Sequence, residues 1–240
     1  MEHPIRSAFS FFGQKYERLL LLVLFIQLPI ILLQFFASNY ILAITPTNGA
    51  MFGFGDIYSA FIVFILFFFT LVPFVYFWHF EETGHDRPLR QAFFQFALKG
   101  FHYFVFSVAA GLLVTIGFAL FVVPGVILLA ILVMAPVLAI IDNQSVWSSI
   151  RESGRIFKRQ HWKIILLLVC FGFGEFIISA IVQALVLDIT NSFLAIAICH
   201  IFLNTLFLPL FYLILASFVL KWKEELSLFS IDHQDMAIQD

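Results

Sequence analysis

FVVPGVILLAILVMAPV, residues 121–137, is an apolar run broken by a proline and a glycine, with a second proline twelve residues after the first. It lies inside residues 101–141, a stretch without one Lys, Arg, Asp or Glu. The hydrocarbon core of a bilayer is about 30 Å thick and a helix rises about 1.5 Å per residue, so a span needs about 20 residues. Residues 101–141 are too long for one span and suffice for two. Pro124-Gly125 is then the turn: proline suits the first turn of a helix and glycine allows a tight reversal. Pro136 lies deep in the second helix of the pair, where it removes a backbone hydrogen bond and predicts a kink.

The rest of the chain reads the same way. It is 62% hydrophobic and 12% charged, with 34 phenylalanines in 240 residues and a mean hydropathy of +1.02. Soluble domains carry about twice that share of charge. Apolar windows fall near 19–37, 57–78, 101–122, 125–141, 164–187 and 193–220. The expected fold is an all-α, polytopic membrane bundle of six transmembrane helices. Residues 1–223 form one transmembrane domain, and residues 224–240 a short acidic tail with little order.

The basic residues set the orientation. With the N-terminus inside, all 13 Lys and Arg fall in segments on the inner side, from Arg6 to Lys223. The outer loops, near 38–56, 122–125 and 188–192, carry none. The positive-inside rule therefore puts both termini in the cytoplasm of a plasma membrane. The first span reads as a retained helix, because its apolar run exceeds a signal-peptide core and partly charged sequence precedes it. Cys170 and Cys199 fall at different depths and are expected to be free thiols.

Each odd-numbered span follows an amphipathic stretch: SAFSFFGQKYER (7–18), QAFFQFALKGFH (91–102) and ESGRIFKRQHWK (152–163). Aligned on Phe12, Phe96 and Phe157, they share a small residue four positions earlier: Ala8, Ala92 and Ser153. Lys15, Lys99 and Gln160 stand three positions later, and Arg18, His102 and Lys163 six later. This predicts three units, each a short interfacial helix before spans 1, 3 and 5 followed by a hairpin. Such helices suit anionic headgroups; the plainer reading is a set of basic flanks that orient the spans. Trp78, Tyr103, Trp147, Trp162 and Trp222 sit near predicted inner boundaries, as an aromatic belt would.

Residues 121–167 also resemble the signature region of the YciC family, multi-pass proteins of the bacterial inner membrane with no assigned biochemical role. The shared features are Pro124-Gly125 opening a helix, Pro136, the acidic turn at Asp142, and a basic amphipathic helix from Arg151 to Lys163 containing Ser153. A more distant similarity is to the membrane domain attached to some glycerophosphodiester phosphodiesterases. The resemblance implies a bacterial inner-membrane location. It implies no phosphodiesterase activity, because that chemistry resides in a separate soluble domain.

No metalloprotease helix, nucleophile elbow, P-loop or dinucleotide fingerprint occurs. The chain is read as not an enzyme, with no cofactor, no metal, no nucleic-acid partner, membrane lipids as partners, and no protein partner that the sequence names. GAMFGFGD (49–56) reads as a flexible outer connection. HFEETGHD (79–86) holds competent ligands, but in a spacing that fits a solvated turn better than a metal site.

Polar residues within the spans are the remaining candidates. Glu175 stands midway along span five, where a charge costs a few kcal/mol unless protonated, paired or wet. Counting depth puts Asn204 and Thr205 opposite it, His200 one turn above Asn204, and Gln183 two turns above Glu175. Gln27 and Gln34 lie on span one. The candidate in-membrane polar site is therefore Glu175, His200 and Asn204, with Glu175 neutral and bonded to Asn204. One reading makes these residues interhelical ties in a structural or envelope-homeostasis protein. The alternative makes them a polar site in a transporter or channel for a lipid-like or small solute. Further polar groups converging on Glu175 would favour the second; a dry, packed interior would favour the first.

Overall fold

The structure, a computed structural model, describes residues 4–45, 53–190 and 192–237, with side chains as far as residue 226. Among these residues there are seven helices and no strand: α1 (Pro4–Gln14), α2 (Tyr16–Ile44), α3 (Phe54–Glu82), α4 (Pro88–Leu120), α5 (Val122–Ile141), α6 (Val146–Ile189) and α7 (Phe193–Ala237). Helices α2 to α7 are each long and apolar enough to cross a membrane. The protein is a multi-pass helical bundle. Within hydrocarbon every backbone group must bond inside its own segment, which is why the apolar runs fold as helices. An even number of spans returns the chain to the end it started from, here called the basic end because the Lys and Arg residues collect there.

Helix ends are set by polar residues. Asp56 accepts the Gly53 N–H at 2.8 Å and opens α3, so the described part of the glycine-rich stretch is a helix cap. Residues 49–52 of that stretch lie outside the described residues. Asn143, at a positive φ of 48°, turns the chain between α5 and α6, and the Ser145 hydroxyl caps α6 by accepting the Ser148 N–H at 3.2 Å. Helix α7 continues past the last apolar window to Ala237, through most of the stretch expected to have little order.

The reversal between spans three and four differs from the expectation. It is made at Phe121 alone, in extended backbone with φ −157° and ψ 150°. Pro124 is already the third residue of α5, where its missing N–H has no intrahelical partner to lose. Gly125 is a packing residue, not a turn residue. A Cβ placed there would lie 2.5 Å from Phe118 Cγ, and one on Gly117 would lie 3.0 Å from Gly125 Cα. Two glycines thus let α4 and α5 approach closely, the usual device where lipid gives helices no hydrophobic reason to associate. Helix α5 is continuous through Pro136, which is buried.

The three-unit pattern has a structural counterpart. Ala8, Ala92 and Ser153 are each 0% exposed, and Phe12, Phe96 and Phe157 pack against the core. The residue three positions after each Phe clasps the far end of its own unit. Lys15 pairs with Glu81 at 2.9 Å, Lys99 donates to Asn143 at 3.0 Å, and Gln160 donates to Glu225 at 2.9 Å. Lys15 and Gln160 also share a backbone break, with φ, ψ of −115°, 18° and −118°, 20°. These breaks set off the helices before spans one and five, at Lys15 and Gln160, whereas in the middle unit α4 runs unbroken from the interfacial stretch into the span. Glu81, from the HFEETGHD stretch, also takes Arg18. That stretch is therefore used in a clasp, and no group of three potential metal ligands occurs among the described residues.

The core lies toward the basic end. Residues 71–78 of α3, 132–140 of α5 and 211–216 of α7 are all buried, and the fully buried Tyr212 donates its hydroxyl to the Phe67 carbonyl at 3.1 Å. Trp78, Tyr103 and Trp222 belong to this core rather than to an aromatic belt. The Tyr103 hydroxyl lies 3.3 Å from that of Tyr76. Trp147 and Trp162 are exposed, as a belt residue would be. Both cysteines are free.

Candidate functional site

The bundle loosens away from the basic end. In the most apolar window of α5, 61% of residues are buried; the corresponding share is 6% for α6 and 11% for α7. Helix α6 leaves a broad apolar face open, with Leu166, Phe173, Phe176 and Ile181 all exposed. A helix of that kind is as content against lipid as against protein. Its glycines make no close contact either: a Cβ on Gly172 or Gly174 would meet nothing within 4 Å.

The space left between α6 and α7 on one side and α2 and α3 on the other is a cavity of about 290 Å³. Four helices each contribute one polar side chain to its wall: Gln34 from α2, Thr70 from α3, Glu175 from α6 and Asn204 from α7. The rest of the wall is apolar and includes Phe64, Phe67, Phe171 and Phe211. Phe171 and Phe211 pack at 4.4 Å between centroids with their planes tilted by 36°, and Phe67 lies 5.9 Å from Phe211, so these rings brace one another. No Lys, Arg, His, Ser or Cys is among the described lining residues.

Helix α2 reaches this region through a π-helical turn at Val23–Gln27. The extra residue in such a turn re-aims the side chains that follow. Gln27 is fully buried, and its amide donates to the Asn204 carbonyl oxygen at 3.0 Å. Its Oε1 is buried with no hydrogen-bond partner.

The structure brings together two of the three residues singled out from sequence. Glu175 and Asn204 line the same cavity. The hydrogen bond expected between them is not formed; Asn204 is bonded through its backbone, by Gln27. His200 does not join them. It borders a separate space of about 10 Å³ with Ser179 and Gln183. Depth along a helix is countable from sequence, but the direction a residue faces depends on how the helices rotate against one another. Gln34 and Gln27 were legible as polar residues within a span, though not as neighbours of this site. Thr70 gave no signal, because threonine in a span ordinarily bonds its own helix.

A carboxyl group, two amides and a hydroxyl around an aromatic-walled space form a binding site with a few convergent polar groups. No protein-family model, curated protein or solved structure matches the chain.

Proposed function

We propose that the protein binds a lipid-like or small solute in the cavity around Glu175 and moves it across or within the bacterial inner membrane. The carrying observation is that four helices each turn one polar side chain into a single space, and that the Glu175 carboxyl there has no hydrogen-bond partner among the described residues. Polar groups at that depth cost several kcal/mol unless compensated, and a bound polar head compensates them. The purely structural reading requires Glu175 to tie α6 to α7, a bond the geometry does not supply. The segregation of all 13 basic residues supports cytoplasmic termini, and the exposed Arg151, Arg155 and Lys158 suit contact with anionic lipid. Of residues 121–167, which carry the YciC resemblance, only Leu129 lines the cavity.

Native mass spectrometry of protein purified in a mild detergent tests this reading. A small-molecule adduct is expected on the wild type and is expected to be lost in Glu175→Ala. The same adducts on both proteins, or none on either after incubation with a lipid extract of the source membrane, would contradict it.

A further inference from the structure

Among the described residues the cavity wall has one acidic group and no basic one. Glu175 is the ionisable side chain among the described lining residues, and Gln34, Asn204 and Thr70 are the other polar ones there. An anionic head, whether phosphate or carboxylate, would find no cation among the described wall residues and would be repelled by Glu175 whenever that carboxyl is ionised. A cation meets the opposite situation. A bound cation favours the ionised Glu175 carboxylate, which supplies the counter-charge, and the rings of Phe67, Phe171 and Phe211 supply an apolar surface for the rest of the ligand. The amide oxygens of Asn204 and Gln34 add acceptors for any N–H on the ligand.

We infer that the ligand is a hydrophobic monocation, an amine or quaternary ammonium compound whose charged head lies between Glu175, Asn204 and Gln34 and whose apolar part lies against the phenylalanines. This rests on the cavity being a ligand site, as proposed above. The volume, about 290 Å³, holds roughly ten water molecules' worth of ligand. That suits a single aromatic ring with a small ammonium head, or the head and first methylenes of a longer amphiphile.

Three probes of similar size separate charge from shape: benzyltrimethylammonium, the neutral N-benzylacetamide and the anionic benzylphosphonate. Their equilibrium binding is measured on the full chain in dodecylmaltoside, which carries no choline head to compete. Benzyltrimethylammonium is expected to bind about tenfold or more tighter than N-benzylacetamide, and benzylphosphonate weakest. In Glu175→Gln the advantage of the cation over the neutral probe is expected to vanish. Equal binding of cation and neutral probe, a preference for the phosphonate, or a cation preference that survives Glu175→Gln would overturn the charge class while leaving the cavity as a ligand site. Binding of none of the three would count against both. If Glu175→Gln does not fold, the ranking of the three probes on the wild type still decides.

Discussion

The middle and last hairpins follow one local plan and pack in opposite ways. Each begins with a buried small residue, Ala92 or Ser153, and each is clasped at the basic end, by Lys99 to Asn143 or by Gln160 to Glu225. Beyond the clasp, α4 and α5 close on each other across Gly117 and Gly125. Helices α6 and α7 instead leave a cavity, apolar but for four polar side chains, between themselves and the first hairpin. Apolar composition does not distinguish the two pairs, since the windows of α4 and α6 have similar mean hydropathy, 2.2 and 2.5. The difference lies in where the small residues fall. Glycines that face a neighbour, Gly117 and Gly125, draw helices together; a glycine that faces a space, Gly172, keeps it open.

The largest effect that would break this contrast is truncation of a core aromatic ring. Phe106 of α4 is 1% exposed and packs edge-on to Phe68 and Trp147. Phe106→Ala is expected to cost about 3 kcal/mol through the cavity it leaves. Phe176→Ala, at a position 68% exposed on α6, is expected to stay within about 0.5 kcal/mol of wild type. Reversible unfolding in mixed micelles measures both, and equal losses would erase the distinction between the two hairpins. A smaller effect sharpens it. Gly125→Ala must push the Phe118 ring aside and is expected to cost about 1–3 kcal/mol. Gly172→Ala meets no atom within 4 Å and is expected to be neutral, or stabilising by up to about 1 kcal/mol through helix propensity. A loss at Gly172 as large as that at Gly125 would mean that α6 packs more tightly than the structure shows.

The sequence made the spans legible because length and hydropathy act along the chain, and so did the repeat, because burial of Ala8, Ala92 and Ser153 recurs at a fixed offset from a phenylalanine. It misplaced what depends on rotation. Pro124-Gly125 reads as a turn until Gly125 is seen against Phe118. Trp78, Tyr103 and Trp222 read as a belt until their faces are known to point inward. At the cavity, the acid and its depth were legible in Glu175 and Asn204. The exclusion of His200 and the inclusion of Thr70 were not, since both follow from the facing of helices that apolar sequence leaves unspecified.

The central claim is that the space beside α6 is a vessel and not a packing fault, and Gly172 tests it most directly. A leucine there grows from the cavity wall without touching Glu175's chemistry. Gly172→Leu is expected to keep a melting temperature at or slightly above that of wild type while losing the small-molecule adduct that native mass spectrometry detects on the wild-type protein. Retention of the same adduct in a folded Gly172→Leu protein would contradict the claim.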